Sequence, residues 1–590
     1  MLAERTAFGV ARSFSGRRWN LRAGSDDAAR EIARAGISPV LARLLAARGT
    51  TPDELEDLLN PTLKRLMPDP LVLKDMDKAV ARVRAALDSG EKIAVFGDYD
   101  VDGSTSAALL SDFLTALGRP PRVYIPDRMT EGYGPSAAAF RTLQGEGIGL
   151  VITVDCGAAA YEAMDAARAM KLDVVVLDHH AIEIAPPTLA QVNPNQPGDT
   201  SGLTYVSAAG VTFLFLVALN RELRDAGWYA DNGIAEPDLR NYLDVVALAT
   251  ICDVVPLVGV NRAFVRAGLA HMSEKKRLGL SSLAGIARIE APFTAYHCGF
   301  MLGPRINAGG RVGKSSLGVE LLTATDLQNA DELAALLDLH NRERQAIEKL
   351  IIEEALAMGG TQGNAPFVFA HGEGWHPGVV GIVAGRLKER FARPAFVAGF
   401  EGGMGRGSAR SVAGVDVGAI VRAAREEKLI EAGGGHAMAA GFSLSAAQLG
   451  GFTEFLNDRF EKFTAEIATA ADLDLDATIS PSGATPALVD EIARIGPFGA
   501  GNPEPLVVAP DVRIVFADVV GQDHVRLRLV GGDGAGLSAI AFRTATTPLG
   551  QALLKGKGRR IHAAGRLRAD EWNGQRRVQL QLEDAAAAEA

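Results

Sequence analysis

Between Glu91 and Asn195 short apolar runs alternate with Ala-rich stretches of helical spacing. Lys92-Ile93-Ala94-Val95-Phe96-Gly97, Val123-Tyr124-Ile125, Leu150 to Val154 and Val174 to Leu177 are β-rich and too short for buried helices. That rhythm predicts a parallel, doubly wound sheet. Residues up to about 85 read as helical: Thr51-Pro52-Asp53-Glu54 has the form of a capping box with proline at the first helical position, and Asn60-Pro61 ends that helix. Residues 204–285 look mainly helical. Ala330 to Met358 forms one long amphipathic helix, with Leu333, Leu336, Leu337, Ile347, Leu350 and Ile351 on its apolar side and Gly359-Gly360 as its stop. It reads as a rigid bridge between lobes. A second α/β unit follows, with strand Phe367 to Phe369, helix Val379 to Arg390 and strand Ala395 to Val397, ending near Phe463. From about Asp472 short alternating strands and turns such as Gly531-Gly532-Asp533-Gly534 predict a small β-barrel. No repeat of solenoid period is evident.

Bulk properties change this picture little. The 590 residues, 47% hydrophobic and 22% charged, fit about three or four globular domains. A net charge of −10 argues against a protein that coats duplex DNA, yet it is compatible with a local basic channel. Cys156, Cys252 and Cys298 form no C-x-x-C pair, so neither a disulfide framework nor a zinc knuckle is expected, and a reducing cytoplasm fits. No run of eighteen apolar residues appears and the first thirty residues lack a signal-peptide core, so no membrane is expected. The Arg-rich, nearly acid-free segment up to Arg22 is faintly like a transit peptide, but it reads better as a short disordered lead.

Candidate chemistry begins at Asp98-Tyr99-Asp100-Val101-Asp102-Gly103, directly after the first apolar run, with Ser104 to Leu117 leaving it as a helix. Acids so placed sit at the carboxyl end of a strand, where open α/β sheets place ligands. Two carboxylates ~4 Å apart at an effective dielectric near 20 repel by on the order of 4 kcal/mol, which a divalent cation relieves. A calcium loop of the helix–loop–helix kind also begins D-x-D-x-D-G, but it needs an acid at its twelfth position, here Leu109, and a helix before it. A solvated polar turn is the blander alternative. Three further clusters decide against both. Val154-Asp155 and Leu177-Asp178-His179-His180 close two strands, and Asp253 ends the apolar stretch Ala247 to Cys252. Taken singly, each is a turn, a helix cap or a surface His pair. Together, at one edge of one sheet, they read as a two-cation centre. Carboxylates with imidazoles and no thiolate suit Mn²⁺ or Mg²⁺, and two such ions about 3.5–4 Å apart serve phosphoryl chemistry.

These motifs, with Thr250-Ile251-Cys252-Asp253, closely resemble the DHH phosphoesterase superfamily. Gly303-Pro304-Arg305-Ile306-Asn307-Ala308-Gly309-Gly310-Arg311 and Trp375-His376-Pro377-Gly378 narrow the resemblance to its single-strand-specific exonuclease branch, the RecJ family. It runs from about Arg17 to Asp584. The resemblance implies an α/β protein of two lobes, DHH and DHH-associated, joined by the long helix, with an OB-type barrel and an N-terminal helical segment. The expected boundaries are 1–85 for the helical segment, 86–285 for the DHH domain, 286–360 for the connecting region, 361–466 for the DHH-associated domain and 467–590 for the barrel. The resemblance also implies that Asp100, Asp102, Asp155, His179 and Asp253 are ligands of two divalent cations, with Asp155 bridging, and that His180 orients the phosphate or a ligand. One position departs from the family pattern. Phe96 stands where many relatives carry a metal-binding His, so one cation site is expected to be weaker, or completed by Asp98 or water.

Gly407-Ser408-Ala409-Arg410-Ser411 and Gly433-Gly434-Gly435-His436 combine cations or hydroxyls with glycines whose backbone can approach an anion; a flexible loop is the bland reading of the glycine run. By resemblance, Arg128 with Ser408 and Arg410 grips a 5′ phosphate. Gly434, Gly435 and His436 belong to the lobe that closes over substrate. Arg305, Asn307 and Arg311 are candidates for contacts along the strand. On the barrel, Lys555, Lys557, Arg559, Arg560, Arg566, Arg568, Arg576 and Arg577 surround Trp572 and are opposed nearby in sequence only by Asp570 and Glu571. A solvated hairpin face competes with a single-strand channel there, and the local excess of positive charge favours the channel. The resemblance therefore implies a 5′→3′ exonuclease that hydrolyses single-stranded DNA to 5′-mononucleotides in DNA repair and recombination, with a single-strand-binding protein and a RecQ-type helicase as partners. The rivals are a phosphodiesterase of short oligoribonucleotides or cyclic dinucleotides, which usually lacks the barrel and helical segment, and an inactive replication scaffold, which is expected to lose several acids.

Overall fold

The structure, a computed structural model, describes residues 6–128, 130–363, 365–463, 472–572 and 575–588, with side chains except at 570–572 and 575. It divides into two compact units, one of residues 61–347 with 497–503 and one of residues 1–60 with 348–496 and 504–590. From Thr6 onward the supposed disordered lead is ordered: it contributes strand β1 (Trp19–Leu21), with Trp19 fully buried. The helix expected from Thr51 is shorter, Leu55–Leu59. Thr51 to Glu54 form a turn closed by the Thr51 N–H on the Glu54 carboxylate (2.9 Å), which leaves little more than one turn before Asn60-Pro61.

In the first unit β2 (Ile93–Gly97), β3 (Arg122–Tyr124), β4 (Leu150–Val154), β5 (Asp173–Leu177) and β6 (Ala190–Val192) form a parallel sheet in the order β3-β2-β4-β5-β6. β2 and β4 are buried throughout because both faces are covered, which is why their sequences run continuously apolar. On one face Val95, Ile152, Val154, Val175 and Leu177 pack with the helices Met76–Ser89, Val101–Ala116 and Ala208–Asp225. On the other, Ala94, Phe96, Val151, Val174 and Val176 meet Phe140, Leu143 and Met164 from the helices Ala137–Gly145 and Tyr161–Ala169. The strand order reverses direction between β2 and β4, so a crevice opens at their carboxyl ends, where Asp98 and Asp155 stand. Strand β6 has only three residues, too few for a periodic signal. The helices Leu243–Cys252, Gly259–Ser273 and Leu278–Ile286 follow, then a π-helical turn His297–Leu302 running into the helix Gly303–Val312.

The long helix extends from Leu327 to Thr361, and the division between the units falls within it. Gly359 and Gly360 do not stop it; a methyl group on Gly359 would lie 2.7 Å from the Phe391 ring, so this glycine permits close packing inside the helix.

In the second unit β7 (Val368–Glu373), β8 (Ala395–Glu401), β9 (Met404–Arg410), β10 (Ala432–His436) and β11 (Ala439–Ser445) form a mixed sheet in the order β10-β11-β9-β8-β7, with only β7 and β8 parallel. The glycine run 433–435 is therefore ladder-paired strand rather than loop. A short strand β12 (Leu473–Leu475) lies parallel to β1, and β13 (Ala477–Thr478) pairs with β14 (Val507–Val520). β14, β15 (His524–Val530), β16 (Gly536–Ala541), β18 (Gln575–Ala587) and β17 (Arg560–Trp572) close into a five-stranded barrel through the β14–β17 pairing. The tail from Ala585 carries little meaning as sequence, yet Ala585 and Ala586 are buried in β18. Trp19 packs among Leu475, Val508, Ala564 and Ala586, and its indole N–H donates to Asp584 Oδ2 at 2.9 Å.

Candidate metal centre

Each acid of the centre is placed by the end of an element. Asp98 follows β2, and Asp100 caps the helix Val101–Ala116, its Oδ1 accepting the Gly103 N–H at 3.0 Å. Asp102 lies in the first turn of that helix and is buried. Its two oxygens accept the Ala208 and Ala209 N–H groups (2.7 and 2.9 Å) at the start of the helix Ala208–Asp225, where the helix dipole favours an anion. A carboxylate has about four lone-pair positions, so acceptor capacity remains for a cation. Asp155 follows β4 in a left-handed conformation (φ 58°), fixed by its N–H on Leu177 O and by the Tyr133 hydroxyl on its own carbonyl, both 3.1 Å. Backbone strain of this kind persists where the surroundings over-determine it. Asp253 caps the end of the helix Leu243–Cys252.

Asp178, named in sequence only as part of a triplet, is the organiser of the two histidines. Its Oδ1 accepts the N–H groups of His179 (2.7 Å) and His180 (3.2 Å) and lies 2.7 Å from His180 Nδ1, while Oδ2 accepts the Ala158 N–H at 3.0 Å. Burial works to raise its pKa, but the His180 hydrogen bond and the two histidine charges outweigh it and leave it at about 2. Burial likewise works to lower His180, and the Asp178 hydrogen bond and charge carry it up to about 9.

The ligand atoms converge in three overlapping groups, each within 4.8 Å: Asp98, Asp100 and Asp155; Asp102, His179 and Asp253; and Asp155, His179 and His180. His179 Nε2 lies 3.4 Å from Asp155 Oδ1, 3.6 Å from Asp253 Oδ2 and 3.8 Å from Asp102 Oδ2. Burial first, then the charges of Asp100, Asp102, Asp98 and Asp253, push Asp155 well above the carboxylate range. Burial and Asp100 do the same to Asp98, and burial with Asp102 and Asp100 carries Asp253 to about 9. The cluster cannot ionise fully without added positive charge. Asp98 Oδ1 is buried without a hydrogen-bond partner among the described residues, so the donor set fits divalent cations. The Phe96 ring points away from this set; it is fully buried and stacks on Tyr124 (5.1 Å, 13°), and Asp98 joins the group beside Asp100.

Family models match the chain for the DHH family, N-terminal domain at residues 92–250, the DHHA1 domain at 364–462 and the RecJ OB domain at 475–584. The single-stranded-DNA-specific exonuclease RecJ of Dickeya dadantii is 35% identical over 569 residues, covering 93% of this chain and 96% of the relative. The chain belongs to the RecJ family. RecJ of Escherichia coli is 34% identical with the same coverage. The crystal structure of RecJ in complex with Mn²⁺ from Thermus thermophilus has a TM-score of 0.80 at 30% identity and covers 97% of this chain and 79% of that one.

The remaining RecJ-like positions fall in both units. In the first, the Arg128 guanidinium lies 5.1 Å from the Tyr99 ring centroid. Arg311 is half-buried in the same place, its pKa held down to about 10 by loss of solvation and then by the charges of Arg128 and Arg344. Asn307 Oδ1 accepts the Val101 N–H at 3.1 Å and so braces the acid loop, while Arg305 is engaged with Asp338 (2.9 Å) and Met301 O (2.7 Å). Gly310 lets this helix approach: a methyl group there would lie 2.8 Å from the Tyr99 ring. Sequence reasoning missed Arg344, buried on the long helix against Asn341 Oδ1 at 3.0 Å, and no motif marked it. In the second unit Ser408 and Arg410 share one face of β9, joined by a 2.8 Å hydrogen bond, with Gly381 of the helix Pro377–Phe391 beside them. Gly434, Gly435 and His436 lie along β10, where Gly435 O accepts from Arg422 at 2.8 Å. The basic excess on the barrel is smaller than sequence implied, because acids remote in the chain fold against it. Arg560 pairs with Asp511, Arg566 with Glu583, Arg568 with Glu504 and Arg576 with Asp490. Lys555, Lys557 and Arg559 are exposed; the side chains of Asp570, Glu571 and Trp572 lie outside the described residues. No helix among the described residues is long and apolar enough to cross a membrane.

Proposed function

We propose that this RecJ-family chain is a metal-dependent exonuclease that hydrolyses single-stranded DNA from a 5′ end to 5′-mononucleotides, in DNA repair and recombination. The observation that carries the reading is the sharing of Asp155 and His179 among the three ligand groups, which is how paired cations are held by few side chains. In this reading Asp98, Asp100 and Asp155 would hold one cation, and Asp102, His179 and Asp253 the other. Mn²⁺ and Mg²⁺ are the ions named in the solved Thermus thermophilus RecJ complexes. When bound, such cations supply Lewis-acid charge for attack of water on a phosphodiester. Asp178 fixes the His180 ring, which orients the phosphate. Arg128 and Arg311 offer guanidinium forks to phosphate oxygens, and Arg305 and Asn307 support the backbone of the strand. Ser408, Arg410, Gly434, Gly435 and His436 supply anion contacts from the DHHA1 region. The barrel, matched by the RecJ OB domain model, supports binding of the longer single strand. Delivery of that strand by a single-strand-binding protein and a RecQ-type helicase rests on family resemblance alone.

The test uses a long 5′-labelled single strand, a duplex and a dinucleotide, each with Mn²⁺. Labelled mononucleotide is expected from the long single strand only, and Asp155→Ala is expected to abolish its release. Comparable turnover of the dinucleotide or duplex, or full activity in Asp155→Ala, overturns the reading.

A further inference from the structure

Asp102 and Asp253 fall in one ligand group, and both depend on stretches of chain outside the helices that carry them. Asp102 is cradled by the Ala208 and Ala209 N–H groups, which the chain reaches from Tyr205 through Val206 and the N-cap residue Ser207. Asp253 ends its helix and is followed by an irregular stretch, Val254 to Val258, before the helix Gly259–Ser273.

One side chain joins these two stretches. The Asn261 amide nitrogen donates to Tyr205 O at 2.7 Å and to Pro256 O at 2.9 Å. Tyr205 stands three residues before Ala208, and Pro256 three residues after Asp253. Asn261 is fully buried in the first turn of its helix, and its Oδ1 has no hydrogen-bond partner among the described residues. A buried acceptor left unpaired is costly, so this amide is explained by its two N–H groups and not by its packing.

The stretch that Asn261 holds is strained. Val254 has φ 59° and is 68% exposed. A β-branched residue rarely adopts that conformation and keeps it only where the surroundings over-determine it. So exposed a side chain supplies little restraint of its own, and the restraint comes from the chain on either side. Before it, the Val254 N–H donates to Ile251 O at 3.2 Å; after it, Asn261 holds Pro256. The turn of residues 497–503, which belongs to the same unit, closes the outer side of the stretch. Ala500 O accepts the Leu257 N–H at 2.7 Å, and a methyl group on Gly501 would lie 2.8 Å from Pro256 Cβ.

We propose that Asn261 is a positioning residue for the metal centre: its two hydrogen bonds set the spacing between the cradle of Asp102 and the chain that follows Asp253. The proposal rests on the two-cation reading. Mn²⁺ and Mg²⁺ favour octahedral oxygen sets, with Mg–O near about 2.0–2.1 Å, so a small shift between two carboxylates weakens binding without touching either. The group of Asp98, Asp100 and Asp155 does not depend on these stretches and is spared.

The test uses the full chain, calorimetric titration with Mn²⁺, and hydrolysis of a 5′-phosphorylated single strand over a range of Mn²⁺ concentrations. Asn261→Ala is expected to weaken one of two Mn²⁺ sites about tenfold, as loss of a partner behind a ligand does, and to leave the other within a factor of about two. Excess Mn²⁺ is expected to restore kcat, with KM for the strand unchanged. Gly501→Ala presses on Pro256 from the turn and leaves no buried carbonyl unpaired, so it decides the matter if Asn261→Ala does not fold; it is expected to weaken the same site severalfold. Asn220→Ala removes another buried amide of this unit, one bonded to Glu236 at 2.7 Å, and is expected to lower the thermal midpoint while leaving both Mn²⁺ sites unchanged. If the folded variants at Asn261 and Gly501 bind both Mn²⁺ ions as wild type does, or if Asn220→Ala weakens the same site as much, the positioning role is overturned while the two-cation reading stands. If wild type binds fewer than two Mn²⁺ ions, the two-cation reading falls and the proposal falls with it.

Discussion

Family resemblance leads to the expectation of a metal-binding histidine at position 96, where this chain has Phe, and the structure predicts what placing histidine there would do. The Phe96 ring is fully buried, stacked on Tyr124 and edge-on to Phe140 (6.3 Å, 67°), among Ala94, Val151 and Val176 on the face of the sheet lined by Phe140 and Met164. Phe96→His would sacrifice two aromatic pairs, each about 0.5–1.5 kcal/mol beyond area burial. It would also bury ring nitrogens without partners, at about 1–3 kcal/mol. The expected loss of stability is therefore about 4 kcal/mol, read from the urea midpoint by circular dichroism. Because the imidazole would occupy the core, calorimetric titration with Mn²⁺ is expected to show no tighter site. Asp98→Asn provides the counterpart. It removes the buried, unpartnered oxygen beside Asp100, and is expected to weaken one of two Mn²⁺ sites on the order of 10–100-fold. A Phe96→His protein as stable as wild type that binds Mn²⁺ more tightly, beside an Asp98→Asn protein that binds normally, would refute the assignment of Asp98 as the completing ligand.

Asp155→Ala is expected to abolish hydrolysis while leaving single-strand binding in EDTA within a factor of about two, checked by fluorescence anisotropy; Asp155 is shared by two ligand groups but touches none of the arginines in the hydrogen bonds described. Metal and pH are expected to act together on stability. With Asp253 raised to about 9 by burial and by Asp102 and Asp100, the metal-free folded chain holds a proton that the unfolded chain releases above about pH 4. Its stability therefore falls as pH rises from about 4 towards 9, and Mn²⁺ is expected to raise the thermal midpoint more at about pH 8 than at about pH 5, with protons released on binding. A midpoint shift independent of pH would contradict this. Trp19→Phe, which deprives the buried Asp584 carboxylate of its indole donor, is expected to cost about 2 kcal/mol by urea titration.

The parts of the molecule legible in sequence were those with a local signature. Continuous apolar runs marked β2, β4 and β5, and acids at their ends marked Asp98, Asp155 and Asp178, because strand ends and caps are set by neighbours in the chain. What escaped was decided by partners far away in sequence. Strand β10 carries a glycine run that read as an anion-approaching segment or a flexible loop, and only pairing with β11 makes it a strand. The barrel arginines looked unopposed because Glu504, Glu583, Asp490 and Asp511 reach them only in the fold. Arg344 carries no motif; its place beside Arg311 depends on the packing of the long helix. Asp178 was visible as a residue, but its role was not, since a carboxylate that orients two imidazoles is indistinguishable in sequence from one that binds metal.

The hydrogen bond between Trp19 and Asp584 joins residues 565 positions apart. Among the described residues strand β1 has its ladder partner only at Leu473–Leu475, and the cluster around Trp19 is completed by Ala564 and Ala586. At translation rates of about 5–20 residues per second, the first strand made waits on the order of a minute for its partners to be synthesised. Throughout that interval an indole destined for full burial is exposed on the nascent chain. The sheet carrying Asp98 and Asp155 needs none of those late residues, so the acid cluster can already be in place while β1 still waits for β12.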